Sequence, residues 1–234
     1  MNEEVFVSEL KKIGIELNEI QLKQFQRYYE LLVEWNEKMN LTTILKKEEV
    51  YEKHFYDSLT IAMNQDMNDK KLLDIGAGAG LPSLALKIAF PSLDVTIMDS
   101  VAKKMTFVDA VIKDLDLKNA RTVAARAEEY IENHREEFDI VTARAVCRMN
   151  ILVELATPYL RVGGKIMALK GAIGEEEIKE CGKAFDILHL RLIDHKEITL
   201  PIEQSSRNNY YIKKTDKTNT KYPRRYSVIK SKPL

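Results

Sequence analysis

From Lys71 to Ala168 the chain repeats one pattern, a short apolar run followed by a stretch whose apolar residues recur three and four apart. The runs are Leu72 to Ile75, Val95 to Met98, Thr122 to Ala125, Phe138 to Val141 and Lys165 to Ala168. Val101, Met105, Val108, Ile112 and Leu115 mark one helical stretch between them, and Ile151, Leu152, Leu155 and Leu160 mark another. Strands alternating with helices imply parallel βαβ units, with helices on both faces of one sheet. After a loop-and-helix stretch over residues 171–186, Leu188 to Ile198 and Asn209 to Lys213 follow as two extended runs in succession. They predict an antiparallel hairpin that finishes the sheet. The expected fold is α/β and Rossmann-like, a mostly parallel seven-stranded sheet with an antiparallel C-terminal hairpin.

Residues 1 to about 65 carry a different period. Leu22, Phe25, Tyr29, Leu32, Trp35 and Met39 are spaced by three and four, which predicts one buried helical stripe, and core packing is the first role of such aromatics. Gly14 separates a short first helix from this one, and Asn18 ahead of Glu19-Ile20-Gln21 is an N-cap with a weak capping box. The division is a helical N-terminal appendage over 1–65, an α/β domain over 66–214 and a basic tail over 215–234. With 45% apolar residues in 234, such a chain buries a sizeable core.

The N-terminus has no basic segment followed by an apolar one, and the longest uncharged apolar-rich run, Ile75 to Leu86, holds three glycines and a proline. It is too short to span a bilayer, so a cytoplasmic protein without a membrane partner is expected. Cys147 and Cys181 have neither metal-ligand nor disulfide spacing, and read as reduced thiols near a core. His54, beside Phe55 and Leu59, reads as a packing residue.

Formal charge is balanced at 36 basic and 36 acidic residues but unevenly placed. Between Lys213 and Lys232 eight basic residues stand against the single acid Asp216, a local +7 that the rest of the chain offsets. Tyr210, Tyr211, Tyr222 and Tyr226 lie in or beside that run. Cations that pair phosphates, interleaved with rings that stack on bases, make nucleic acid a candidate partner.

The chemistry centres on Leu72-Leu73-Asp74-Ile75-Gly76-Ala77-Gly78-Ala79-Gly80-Leu81-Pro82. It follows a buried strand and opens a helix, with Pro82 suited to a first helical turn. Gly76, Gly78 and Gly80 allow a tight turn and let a ligand lie on bare backbone, and a ligand carboxylate there would meet unpartnered helix N–H groups. S-adenosylmethionine carries such a carboxylate. The dinucleotide fingerprint G-x-G-x-x-G is not met, since the spacing is G-x-G-x-G. Asp99, nineteen residues after Gly80, closes the next strand where an acid accepts ribose hydroxyls, a feature common to both cofactor types. The pair Tyr210 and Lys214 has dehydrogenase spacing, but lies in the terminal strand and reads as coincidence.

Trp35 to Thr42, His54 to Leu59, the glycine loop with Leu81-Pro82, Met98-Asp99-Ser100, Arg126 to Glu129, Thr142 to Ala145 and Ala168 to Gly171 together resemble one family. It is the bacterial small-subunit 16S ribosomal RNA (guanine-N7) methyltransferase family, also called glucose-inhibited division protein B, and the resemblance runs through nearly the whole chain. It implies a class I methyltransferase fold, S-adenosylmethionine as cofactor, the 30S subunit as partner and N7 of guanosine 527, in the 530 loop, as target. It also implies that Gly76 and Leu81, then Asp99, Ser100 and Val101, then Ala127 and Glu128, and finally Arg144, contact the cofactor. Arg126, Arg144 and Lys170 flank the expected crevice, and Arg207, Arg224 and Arg225 stand on or near the hairpin, so these are the candidate RNA contacts. The tail is expected to order only on the subunit, and nothing demands more than a monomer.

Guanine N7 carries a lone pair and no proton, so alignment with the methyl donor should supply most of the catalysis and no catalytic base is assigned. Thr142 to Ala145 has neither the Asn/Asp-Pro-Pro-aromatic segment of amine methylases nor a Pro-Cys nucleophile, since Cys147 follows Val146. Two other functions stay open at this point. A small-molecule methyltransferase would share the loop without needing a +7 tail, and a silent ribosome-binding protein would share the tail without needing the loop glycines and Asp99 together.

Overall fold

The computed structural model describes residues 1–234. Seven strands form one sheet: β1 (Lys71–Ile75), β2 (Asp94–Asp99), β3 (Ala120–Ala124), β4 (Phe138–Arg144), β5 (Leu160–Lys170), β6 (Leu190–Thr199) and β7 (Ser206–Lys214). Their order is β3-β2-β1-β4-β5-β7-β6. The first five strands pair in parallel, and β7 runs antiparallel to both β5 and β6. All seven expected strands and the terminal hairpin are present. The chain order reverses between β1 and β4, and the crevice outside the carboxyl ends of strands at such a point is where open α/β sheets bind ligands.

β1 and β2 are buried along nearly their whole length, as parallel strands covered on both faces must be. One face of the sheet packs on the helices Ser83–Ala89 and Ala102–Asp114 and on the N-terminal helices, and these share one core: Phe6, Phe25 and Phe55 join Leu84, Ile97 and Phe107. The other face packs on Met149–Ala156 and Gly182–Leu188, with Tyr222 and Ile229 from the C-terminus in the same cluster.

The long N-terminal helix, Glu19–Met39, begins as its sequence dictates. Asn18 Oδ1 accepts the Gln21 N–H (3.0 Å) and Gln21 Oε1 accepts the Asn18 N–H (2.8 Å), a complete capping box. Gln21 Nε2 then donates to the carbonyls of Ile88 and Ala89, satisfying the end of helix Ser83–Ala89. The buried stripe is rotated from the expected one: Phe25, Tyr28, Leu31 and Leu32 are buried, while Leu22, Tyr29, Trp35 and Met39 form its margin. The rotation turns Tyr28 inward, and its hydroxyl donates to the carbonyl of Ala79 (2.6 Å). The N-terminal helices thus brace the glycine loop directly.

The tail, expected as an arm that orders only on the subunit, instead packs on the domain: Tyr222 and Ile229 are buried, Tyr226–Ser231 is helical, and Arg224 is held by Glu154. Apolar residues interleaved with its cations give the segment its own share of the core. No helix is long and apolar enough to cross a membrane.

Candidate functional site

Gly76, Gly78 and Gly80 all have positive φ, at +71°, +60° and +88°, but meet different surroundings. A Cβ on Gly76 would lie 2.7 Å from Val146 Cγ2, and one on Gly80 would collide with the Leu84 side chain. Nothing lies within 4 Å of the Gly78 position, so there the backbone faces open space. The loop is fixed at several points: the N–H groups of Gly76 and Ala77 donate to the Met98 carbonyl, Tyr28 holds Ala79, and Asp99 Oδ2 accepts the Gly78 N–H (3.0 Å). Asp99 Oδ1 accepts the Val101 N–H (2.9 Å). The buried Asp99 therefore ties the first loop to the second; Lys104 Nζ lies 3.6 Å from Oδ2, so Oδ1 keeps the freer lone pair for a ligand hydroxyl.

Beyond the ends of β1, β2 and β3 lies a crevice of about 160 Å³, lined by Gly76, Asp99, Ser100, Arg126, Ala127, Glu128, Val146 and Tyr226 among others. Of the expected cofactor residues, Gly76, Asp99, Ser100, Ala127 and Glu128 come together here, and Arg126 joins them from the RNA set. Gly80 and Leu81 are packing residues behind the loop, with Leu81 buried in the first core. Val101 caps helix Ala102–Asp114 with its side chain exposed.

A larger cleft of about 810 Å³ opens beside the crevice, beyond β4 and β5. Arg144, Lys170 and Arg207 line it, so three of the expected basic contacts share one surface. Arg144 thus sits across Val146 from the crevice, and Val146 is the residue that borders both spaces. Val146 follows Ala145, a non-glycine residue with φ +56°, and that backbone turn aims it over Gly76. Arg224 and Arg225 line neither space. Arg224 is removed from the RNA set for a physical reason: its guanidinium takes both oxygens of the fully buried Glu154, at 2.8 and 2.6 Å. Arg225 is exposed ahead of helix Tyr226–Ser231.

The sequence reading missed what lies under the cleft. Tyr51–Tyr56 forms a π-helical turn continuing into Asp57–Thr60, a wider winding that recurs at functional sites. It brings Lys53, His54 and Asp57 to the cleft wall. Asp57 is buried between two guanidiniums, with Arg144 Nη1 3.3 Å from Oδ2 and Arg207 Nε 3.3 Å from Oδ1. Burial pushes its carboxyl up, and the two arginines oppose that shift. His54 bonds Thr42 Oγ1 through Nε2 (2.9 Å), and burial together with the Arg144 charge lowers it to about 4. It is a neutral, mostly buried ring, as a packing residue should be, but one edge meets the cleft. The His-x-x-Asp spacing, which places both residues on one helical face, was the available signal.

The remaining cations are paired. Lys170 holds Glu177 (2.8 Å) and the Cys147 carbonyl, Lys53 holds Glu203 (2.8 Å), and Arg148 holds Glu180 (2.6 Å). Burial pushes the Cys147 thiol up to about 11 and Cys181 up to about 12, so neither is a thiolate at neutral pH. Beneath the glycine loop, Asp74 is fully buried. Burial raises it to about 7, and Oδ2 accepts the Ser83 N–H while Oδ1 has no partner.

Residues 21–205 match the family model described as rRNA small subunit methyltransferase G. The chain belongs to that family. It is 46% identical over 237 residues to the ribosomal RNA small subunit methyltransferase G of Listeria monocytogenes serotype 4b, covering 100% of both chains. It is 47% identical, again over 100% of both, to that of Lysinibacillus sphaericus. Solved structures share the fold at low identity. M. jannaschii TYW2 in complex with AdoMet has a TM-score of 0.56 at 14% identity, over 69% of this chain and 76% of that one. The fibrillarin/Nop5p complex has a TM-score of 0.54 at 14% identity, over 68% and 82%. For this methyltransferase the likeness supports the class I fold, and its family model ends before β7 and the C-terminal helix.

Proposed function

We propose that this chain uses S-adenosylmethionine to methylate N7 of guanosine 527 in 16S ribosomal RNA, with the donor in the crevice and RNA in the cleft. One observation carries this reading: the two spaces differ in chemistry and meet at Val146. The crevice fits the donor on the structure's own terms. Gly76 lines it, the neighbouring Gly78 leaves its backbone face open, Asp99 offers a lone pair on Oδ1 at the end of β2, and apolar residues such as Met98 and Ala127 line the rest. Bound there, the donor supplies an electrophilic methyl on a sulfonium.

The cleft lining carries five cationic side chains, Lys53, Arg144, Arg148, Lys170 and Arg207, against the acids Asp57, Glu177 and Glu203 in the lining and Glu180 just outside it on Arg148. That excess suits a polyanion better than a small neutral substrate. Guanine N7 offers its lone pair without deprotonation, so the cleft residues need only position it. The surroundings agree, since the nearest titratable candidates are a neutral His54, an Asp57 committed to two arginines and an un-ionised Cys147. Arg126 at the crevice mouth and Arg225 on the C-terminal segment extend the basic surface. One copy carries both spaces whole, so a monomer suffices, and a ribosomal substrate places it in the cytoplasm.

The reading is tested by labelled methyl transfer to 30S subunits from cells lacking this protein, with the RNA digested and the modified nucleoside identified. One N7-methylguanosine at position 527 is expected. Label in another nucleoside, or none, would overturn it.

A further inference from the structure

Most of the crevice lining comes from the loops that follow strands, but one aromatic wall comes from the far end of the chain. Tyr226 reaches the same space as Asp99 and Ala127, both far upstream in sequence. Its place is fixed from both sides. Upstream, Arg224 holds Glu154 through its backbone N–H and its guanidinium, and Arg135 donates to the Tyr222 carbonyl (2.9 Å). Downstream, Ile229 is fully buried. Glu154 and Leu155 are consecutive on helix Met149–Ala156, so the helix that anchors the segment also supplies a crevice wall beside Tyr226. The ring packs partly against the second core and keeps some exposure toward the crevice.

We infer that Tyr226 is a donor-binding residue, closing the nucleoside end of the crevice by packing its ring on the adenine. The inference rests on the crevice being the S-adenosylmethionine site. The chemistry favours adenine over the methionine part: Ile75, Met98, Ala125, Ala127 and Leu155 give this space apolar walls. A flat heteroaromatic ring gains most from an aromatic face within such walls. The ion pair of Arg224 and Glu154 then acts as a positioning device for the donor site, which explains why a surface arginine is spent on a carboxylate with no exposure. The tyrosine that composition assigned to RNA faces the cofactor instead.

Titration calorimetry with S-adenosylmethionine and S-adenosylhomocysteine tests this on the full chain. Tyr226→Ala should weaken both about tenfold, the size expected for a lost aromatic contact with its buried area. Tyr226→Phe, which keeps the ring, should stay within about twofold, and the loss should appear in KM for the donor more than in kcat. Affinity of Tyr226→Ala for 30S subunits without donor should not move, a readout that separates a donor wall from an RNA contact. Should Tyr226→Ala fail to fold, Tyr226→Trp in a Trp35→Phe background serves, its fluorescence changing on addition of either ligand but not of methionine. Wild-type donor affinity in Tyr226→Ala, a selective loss of subunit affinity, or an indole fluorescence that stays unchanged in Tyr226→Trp would overturn the inference while leaving the function standing. Failure of the wild-type chain to bind the donor would overturn both.

Discussion

The crevice and the cleft lie side by side, yet they are built by different means. The loop at the floor of the crevice is held through backbone: three positive-φ glycines, N–H groups seated on Met98 and Asp99, and a carbonyl held by Tyr28, with mostly apolar side chains as walls. Side chains make the cleft, as a set of ion pairs in which Asp57 serves two arginines and Lys170, Lys53 and Arg148 each hold an acid. A backbone site is set as the chain folds and tolerates little change. A network of paired charges presents cations whose protein carboxylates a phosphate can replace, whereas loss of the buried Asp57 would leave its two arginines without a partner. The difference suits a small invariant donor on one side and a large polyanion on the other.

Substitution can break the two regions separately. The largest effect is expected from Gly76→Val, where a β-branched residue at φ +71° must also occupy the place of Val146. Donor binding should vanish in calorimetry while 30S subunits still bind, and joint loss of both would deny that the regions are separable. Next comes Asp74→Asn, under the loop. Because the folded carboxyl titrates near 7 and the unfolded one near its ordinary value, the folded state holds the extra proton between them. Its stabilising contribution is complete below the unfolded value and is lost as pH rises through about 7, by up to about 4 kcal/mol. The variant should flatten that part of the stability-against-pH curve measured by urea unfolding, and an unchanged slope would contradict the assignment.

In the cleft, Asp57→Ala leaves two guanidiniums without their partner and should cost about 2–3 kcal/mol of unfolding free energy, with a smaller loss for Asp57→Asn. Equal stability of Asp57→Ala and wild type would mean the arginines are solvated rather than held. The smallest effect is expected from Arg225→Ala, an exposed cation: its subunit binding should show a log–log salt slope shallower by about 1. Arg224→Ala, by contrast, should weaken donor binding through Tyr226 before it changes that slope.

Features set by local spacing were legible in the sequence. The seven strands, the Asn18–Gln21 capping box and the positive-φ glycines each depend on residues within a few positions of one another. What was not legible depends on partners far along the chain. The rotation of helix Glu19–Met39 is settled by Ala79, 51 residues away, so the aromatic spacing alone points to Tyr29 where the structure buries Tyr28. Arg224 is neutralised by Glu154, 70 residues away, and no run of local charge reveals that. In sequence His54 reads only as a packing residue and Asp57 does not stand out, although their spacing puts both on one helical face. Their place beside Arg144 follows from a π-helical winding that the sequence pattern does not encode.

If donor and RNA occupy two spaces that meet at Val146, single-turnover methyl transfer by Val146→Phe must register the obstruction. With 30S subunits bound and donor saturating, obstructing the junction should slow transfer about 100-fold, the penalty of misaligned reactants. Transfer at the wild-type rate would show that the methyl group passes elsewhere.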